Sequence, residues 1–360
     1  MIKLFHIDKV YPSNVTALAD VSLEIRKGDF SFIAGPSGAG KTMTLDAIAG
    51  FVRPDEGRIL LDDEILFDAA SGVNLPPRQR HCGYVFQNYA LFPHMTLRQN
   101  LAFAASCPAR GRPPRLERHR KVNEMVERFH LADEAGRRPH EVSGGQKQRC
   151  SIARALIGTP KMLLLDEPAR GLDAPLRTEL YEVLRQVRAD FRIPILLVTH
   201  DLEECFELGE EMLVLHAGRL IQRGAPRAVF DQPANAEVAR LLGAFNLLPV
   251  EITALDPGQK TSRLRFGDFE LTGPYFPGRL RGDRVTLCVR PEELSPMPRD
   301  GKPGPNQVAA QLVRYVERPS SVRLEFTGQI TAELGRPEFE KHKHNKEWVI
   351  EFPAQSLRLV

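Results

Sequence analysis

The sequence predicts an α/β domain with a parallel sheet, followed by a smaller all-β domain. Up to about residue 232, short unbroken apolar runs alternate with segments of helical pattern, an order typical of parallel sheets with crossover helices. After Phe245, strand patterns separated by short turns replace the helices. The length of 360 residues corresponds to about two domains of roughly 150 residues each. We place these domains at residues 1–235 and 236–360.

Three short segments are expected to form strands of the first domain. Phe30–Ala34 leads into a glycine-rich turn, after which residues 44–49 have helical composition and Gly50 is expected to end the helix. Residues 162–165 and 195–198 contain only apolar side chains, as strands buried on both faces of a parallel sheet do.

Other segments complete the first domain. Residues 89–158 are helix-rich, and one helical side is expected to carry the apolar residues Leu116, Val122, Met125, Val126 and Phe129. The proline- and arginine-rich residues 108–115 are expected to form a solvated loop. Residues 212–221, with Ala-Gly in the middle, predict a β-hairpin.

The second domain begins with a predicted hairpin at residues 264–271, around a Gly-Asp turn. Further strands are expected at residues 285–289, 308–316, 322–326 and 348–352. The proline-rich residues 291–305 are expected to be an exposed connection. His342 and His344 are interpreted as part of a polar turn, with a metal site as the alternative.

Composition excludes several classes of protein. Hydrophobic residues at 42% and charged residues at 26% argue against a disordered or fibrous chain. A net charge of only +3 argues against nucleic acid as a main partner. The five cysteines form no C-x-x-C pair, which favours a reducing cytoplasm. No apolar run approaches the ~20 residues of a membrane span, and the start lacks a secretory pattern.

The first chemical motif is a phosphate-binding loop. Residues 35–42, GPSGAGKT, match G-x-x-x-x-G-K-[ST], in which glycines let successive backbone N–H groups surround phosphate oxygens. Lys41 is expected to reach the β- and γ-phosphates, and the Thr42 hydroxyl to bind Mg²⁺. The predicted nucleotide contacts here are Gly35, Pro36, Ser37, Gly38, Ala39, Gly40, Lys41, Thr42 and Met43.

The second motif, MLLLDE at residues 162–167, is an apolar strand that ends in two acids. Asp166 is expected to bind Mg²⁺ at the nucleotide site, and Glu167 to act as general base toward the attacking water. Alone this pattern is weak evidence, but with the phosphate-binding loop upstream it becomes strong evidence for a site that binds a nucleotide and Mg²⁺.

A third motif points to a family. VSGGQKQR, residues 142–149, precedes the MLLLDEP strand, with Gln87 upstream and His200 downstream. With these motifs in this order, residues 1 to about 232 resemble the ATP-binding subunits of ABC transporters. The resemblance implies an ATPase with the P-loop NTPase fold, a RecA-like core and an ABC helical subdomain at about residues 89–158.

The resemblance also implies roles at a dimer interface. Ser143, Gly144, Gly145 and Gln146 match the signature that contacts the γ-phosphate bound by the opposite subunit. A hydroxyl and free backbone N–H groups at a helix start suit an anion. Asp173 matches a loop that crosses the same interface.

Further residues complete the implied site. Gln87 would bind Mg²⁺ and sense the attacking water, His200 would contact the γ-phosphate, and Tyr11 would stack on adenine. The alternatives are that Tyr11 packs in a core, that His200 is a structural group, and that Asp201 simply caps the following helix.

The chain departs from the family pattern at three places. Val142 replaces a usual Leu, Met43 replaces a usual second hydroxyl residue, and Arg170-Gly171 replaces a usual pair of small residues. The replacement at Val142 is not expected to matter. Met43 is expected to remove one α-phosphate contact, and Arg170-Gly171 to affect fine detail at the dimer interface but not ATP binding.

The substrate is suggested by residues 66–96, which resemble bacterial importers of anions, metals and polyamines. The GVNLPP loop and residues 176–200 are most similar to the molybdate-importer ATPase, although sulfate, iron(III) and polyamine importers share most of them. The expected function is ATP-driven import of molybdate or a related oxyanion, with those importers as alternatives. A soluble ABC ATPase of translation or DNA repair is the alternative from another class.

The resemblance implies several partners. They are a second copy of the chain, transmembrane permease subunits and a periplasmic or extracellular binding protein, at the cytoplasmic face of the membrane. VTLCVRPEEL, residues 285–294, resembles part of the small oligonucleotide-fold-like regulatory domain appended to such subunits.

Overall fold

The computed structural model describes residues 1–12, 14–106, 114–243 and 245–360. They divide into two compact units, Met1–Val229 and Phe230–Val360. The strands of the first unit are β1 (Ile2–Val10), β2 (Thr16–Ile25), β3 (Phe30–Ala34), β4 (Glu56–Leu61), β5 (Glu64–Asp68), β6 (Val73–Asn74), β7 (Cys82–Val85), β8 (Met162–Asp166), β9 (Ile195–Val198), β10 (Glu211–His216) and β11 (Arg219–Gly224).

Helices connect these strands. They are α1 (Lys41–Ala49), α2 (Leu97–Ala105), α3 (Arg115–Arg128), α4 (Gly144–Leu156), α5 (Ala174–Phe191), α6 (Leu202–Leu208) and α7 (Pro226–Asp231), the last of which crosses the boundary between the units. None of the helices in the described ranges is long and apolar enough to span a membrane.

The central sheet of the first unit has the strand order β11-β10-β3-β9-β8-β7. Its pairs are parallel except for the β10–β11 hairpin, which confirms the predicted α/β fold and the hairpin at residues 212–221. All residues of β3, β8 and β9 are buried, as the unbroken apolar runs at residues 162–165 and 195–198 predicted for β8 and β9. The carboxyl ends of parallel strands meet at one edge, where α/β proteins bind ligands.

A second sheet, β2-β1-β4-β5-β6, is antiparallel, and the sequence analysis did not predict it. Its buried faces form one core with α1 and the central sheet. The pairing of β1 shifts register at several points, and such bulges break the two-residue alternation by which half-buried strands are recognised.

The helix-rich segment contains α2, α3 and α4, and one detail of its prediction was wrong. In α3, Val122, Met125 and Val126 are buried, but Leu116 is 83% exposed. Leu116 lies in the first turn of the helix, before the part that contacts the core. The solvated loop predicted at residues 108–115 lies largely outside the described residues, and Arg115 begins α3.

The second unit contains two five-stranded antiparallel sheets, ordered β14-β13-β12-β15-β21 and β16-β20-β17-β18-β19, which share one apolar core. Its helices are α8 (Ala236–Leu242) and α9 (Arg336–His342), and its strands are β12 (Asn246–Asp256), β13 (Thr261–Phe266), β14 (Phe269–Pro274), β15 (Arg284–Val289), β16 (Ser295–Pro298), β17 (Gln307–Glu317), β18 (Ser321–Phe326), β19 (Ile330–Gly335), β20 (Glu347–Glu351) and β21 (Arg358–Leu359).

Two expectations for this unit were wrong in detail. Residues 291–305 are not only an exposed connection, because β16 pairs with β20 and Pro291 is buried. His342 does not lie in a polar turn, since it ends α9 and its ring meets the Trp348 ring edge-on.

Candidate active site

The loop between β3 and α1 depends on its glycines. Gly38 and Gly40 have φ values of +79° and +99°, which L-residues with a side chain rarely adopt. A Cβ at Gly40 would lie 2.5 Å from the carbonyl oxygen of Ala17. The backbone therefore keeps a tight concave shape at the N-terminus of α1, where N–H groups and the helix dipole favour an anion.

Lys41 is the first residue of α1, and its side chain folds into this loop. Its Nζ donates to the carbonyl oxygens of Gly35 at 2.8 Å and Pro36 at 3.0 Å. Burial lowers the pKa of Lys41, while the carboxylates of Glu167 and Asp166 act in the opposite direction. The ammonium therefore lies among oxygen atoms where a phosphate would supply the compensating negative charge.

Two candidate Mg²⁺ ligands meet beside the loop. Thr42 Oγ1 donates to Asp166 Oδ1 at 3.2 Å, and Asp166 is 7% exposed. Burial raises the pKa of Asp166, and the negative charges of Glu167 and Asp46 raise it further. A buried carboxylate that lacks a full counter-charge, beside a hydroxyl, is a donor set that Mg²⁺ prefers.

Thr42 and Asp166 would supply two of the six oxygen ligands that an octahedral Mg²⁺ ion takes. In the part of the chain that the structure describes, no group of three or more His, Cys, Asp or Glu side chains is arranged for a metal ion. Mg²⁺ usually keeps several waters and shares its protein ligands with substrate phosphates. Thr42 and Asp166 therefore fit an ion that arrives with a nucleotide.

Glu167 follows β8 with φ +46°, a left-handed conformation that costs a residue with a Cβ about 1–3 kcal/mol and is typical of functional sites. Its backbone N–H donates to the carbonyl of Val198 at 2.9 Å, which anchors it to β9. Glu167 Oε1 lies 3.5 Å from His200 Nδ1. The structure therefore brings these two predicted catalytic residues together.

Arg170 is a member of this site that the sequence analysis did not identify as one. Its Nη1 donates to Glu167 Oε2 at 3.0 Å. The Gln87 amide, oriented with its oxygen toward the guanidinium, accepts from Arg170 Nε at 3.2 Å and also from Nη1. The sequence did mark Arg170-Gly171 as a departure from the family pattern. It could not show that Arg170 contacts Glu167 and Gln87, because these contacts depend on the tertiary structure.

The signature residues begin α4. Ser143 accepts from the backbone N–H of Gln146 at 3.3 Å, and Gln146 Oε1 accepts from the backbone N–H of Ser143 at 2.8 Å. Among the described residues, Gln146 Nε2 donates to Glu134 at 2.9 Å, so these side-chain contacts are local. In the single chain they do not join the signature to the phosphate-binding loop.

Two acids act as helix caps. Asp173 accepts from the backbone N–H of Leu176 at 3.1 Å at the start of α5. Asp201 accepts from the backbone N–H of Glu203 at 2.9 Å, which confirms its interpretation as the cap of α6. Both stabilise helix N-termini in the usual way.

Tyr11 lies beside α1 and not in a core. Tyr11 is 38% exposed, so the core-packing alternative is wrong. Its Oη contacts Met43 Sδ at 3.6 Å, and Lys9 Nζ lies 5.6 Å from the ring centroid. Two predicted nucleotide contacts, Tyr11 and Met43, are therefore neighbours.

Comparisons with known proteins add family evidence. A family model described as ABC transporter matches residues 18–170. The trehalose/maltose import ATP-binding protein of Thermococcus litoralis is 37% identical over 90% of this chain and 87% of its own. The spermidine/putrescine import ATP-binding protein of Oleidesulfovibrio alaskensis is 38% identical over 79% of this chain and 74% of its own. The molybdate/tungstate import ATP-binding protein of Pyrococcus horikoshii is 38% identical over 82% of this chain and 79% of its own.

A solved structure extends the comparison to the fold. It is a dimeric ATP-binding cassette in a post-hydrolysis state with bound ADP and Pi. It aligns with a TM-score of 0.55 and 30% identity, over 63% of this chain and 99% of that one.

Proposed function

Since the chain belongs to the family of ABC transporter ATP-binding subunits and is the ATPase of an importer, we propose how it performs that work. Two copies close head to tail around ATP, Glu167 serves as general base, and the transported substrate is molybdate or a related oxyanion. The subunit acts at the cytoplasmic face of the membrane with permease subunits and an external binding protein.

One observation carries the proposed chemistry. The ends of the neighbouring parallel strands β3, β8 and β9 lead into the phosphate-binding loop, Glu167 and His200. Lys41 and the loop N–H groups would bind the phosphates, Glu167 would accept the proton of the attacking water, and His200 would contact the γ-phosphate. Thr42, Asp166 and Gln87 would hold Mg²⁺, which neutralises phosphate charge when bound.

A head-to-tail dimer would bring the signature residues of one copy to the phosphate-binding loop of the other. Ser143 and Gln146 start a helix suited to an anion but contact each other and Glu134. A second copy would bring Ser143, Gly144, Gly145, Gln146 and Asp173 to the opposite phosphate-binding loop. The similar solved cassette is dimeric with ADP and Pi, which supports this arrangement.

Glu167→Gln tests the base and the dimer together. The amide keeps the shape of the side chain but cannot accept a proton, so ATP binding should persist while turnover falls at least 100-fold. With ATP, the variant should elute as a dimer in size-exclusion chromatography. The control is Glu182→Gln, which changes an exposed acid on α5. Hydrolysis by Glu167→Gln at the wild-type rate would exclude Glu167 as the base.

The substrate is the finer part of the proposal. The molybdate proposal is supported by residues 66–96 and 176–200, and a relative that imports molybdate or tungstate is 38% identical. A polyamine is the second candidate, because a spermidine/putrescine import relative is equally identical. The reconstituted transporter should hydrolyse ATP faster with binding protein loaded with molybdate than with spermidine or maltose. If only spermidine-loaded binding protein stimulated hydrolysis, the oxyanion proposal would be wrong and the substrate would be a polyamine.

A further inference from the structure

Arg170 connects two residues of the proposed hydrolysis machinery. It lies between β8 and α5, and its side chain is 57% exposed, whereas the Glu167 side chain is 16% exposed. The guanidinium of Arg170 donates from Nη1 to Glu167 Oε2 at 3.0 Å. It also donates to the amide oxygen of Gln87, which lies 3.2 Å from Nε. The planar fork of arginine suits such a double contact.

These contacts occupy the atoms that hydrolysis would use. A general base needs an oxygen within hydrogen-bond reach of the water that it deprotonates. Glu167 Oε2 accepts from Arg170, and Oε1 faces His200 Nδ1 at 3.5 Å. The amide oxygen is the acceptor atom of a glutamine side chain, and that of Gln87 faces Arg170.

We propose that Arg170 is a positioning residue that restrains hydrolysis in the open subunit, before two ATP-bound copies close. Its guanidinium binds both Glu167 and Gln87, and it leaves them when two ATP-bound copies close. The proposal rests on the proposed roles of Glu167 as base and Gln87 as sensor. Its consequence is a low basal ATPase rate in a subunit that is not engaged with its partners.

The restraint is reversible because the Arg170 side chain is exposed, so water can replace the contacts that it gives up. An ion pair with an exposed member contributes only about 0–1 kcal/mol, so closure of two ATP-bound copies can break it at small cost. A role of Arg170 in promoting hydrolysis predicts the opposite change in rate when the side chain is removed. If Arg170 prepared Glu167 and Gln87 for catalysis, its removal would slow hydrolysis.

The test compares basal ATPase rates of the purified full chain. Arg170→Ser should raise kcat about two- to fivefold, the range expected for loss of one exposed pair, with KM for ATP unchanged. Arg170→Lys should fall between serine and wild type, because lysine keeps the charge but not the fork. The matched control is Arg240→Ser, which removes an exposed arginine paired at the same i,i+3 spacing with Glu237.

A second measurement does not depend on activity. Without nucleotide, the thermal unfolding of Arg170→Ser, Glu167→Gln and the double variant should be non-additive, since each substitution removes the same ion pair. Additive shifts would overturn the proposed restraint. So would an unchanged or lower kcat in a folded Arg170→Ser variant. Normal hydrolysis by Glu167→Gln would instead show that the base assignment had failed, which separates the two proposals.

Discussion

Replacing Arg80 with methionine is expected to destabilise the first unit and to weaken ATP binding through α1. Arg80 is 0% exposed. Its Nη1 donates to the carbonyls of Ala47 at 2.7 Å and Ile48 at 2.9 Å, in the last turn of α1. Its Nε and Nη2 donate to Leu75 O at 2.8 Å and Asn74 Oδ1 at 2.7 Å. A cation therefore satisfies carbonyl groups that the helix end cannot pair.

The magnitude follows from these four acceptors. Methionine fills similar space but has no donor, and each buried acceptor left unpaired costs about 1 kcal/mol. Burial lowers the pKa of Arg80 to about 10, so the charge is present at pH 7 and its desolvation penalty is regained in the variant. The net loss is about 3 kcal/mol, which corresponds to a fall in Tm of about 6–12 °C for a unit of this size.

The assay is calorimetric unfolding of the full chain together with ATP titration. Since α1 begins at Lys41 and Thr42, a loosened helix should also lower ATP affinity several-fold. Arg78→Met is the matched control, because Arg78 lies exposed in the same turn. If Arg80→Met and Arg78→Met unfolded within about 2 °C of each other, the hydrogen bonds of Arg80 would contribute little and the reasoning would be refuted.

Three further predictions concern groups around the site. Burial raises the pKa of Glu204 to about 7, so its contribution to stability is lost as pH rises from about 4.5 to 7. Glu204→Gln should therefore be more stable than wild type by up to about 3 kcal/mol at pH 8 and equal to it at pH 4.5, by urea unfolding. Gly40→Ala should reduce ATP affinity more than tenfold in titration calorimetry, because its Cβ would overlap Ala17 O; unaltered affinity would contradict the loop argument. Tyr11→Ala should weaken ATP binding without lowering Tm, since the ring is exposed, and a Tm shift without an affinity change would favour a structural role.

The features that sequence predicted are those whose physics is local. The shape of the phosphate-binding loop depends on positive φ values at Gly38 and Gly40. The motif predicts this shape because glycine adopts such values without strain. The strands β8 and β9 are buried on both faces, and the sequence shows this as unbroken apolar runs at residues 162–165 and 195–198.

What sequence did not predict depends on contacts between distant segments. The antiparallel sheet of β1 carries bulges that interrupt its alternation. Leu116 has the spacing of a core residue, but it lies in a helical turn that the core does not reach. Arg80 gives no sign in sequence that it is buried, because charged residues are rarely buried unless their partners are supplied by other segments.

Arg80 and Arg170, whose contacts the sequence did not predict, differ in a way that determines their roles. Arg80 is fully buried among four acceptors, so removing its contacts would leave unpaired groups without water, and it can only hold α1 in place. Arg170 is 57% exposed, so water replaces any contact that it gives up, and its pairing can change during a catalytic cycle. The difference in burial therefore gives Arg80 a fixed structural role at α1, whereas the contacts of Arg170 can break and form again. Raising the ionic strength should therefore increase the basal ATPase rate of the wild type more than that of Arg170→Ser. Salt screens the exposed pair of Arg170, whereas it leaves the buried contacts of Arg80 unchanged.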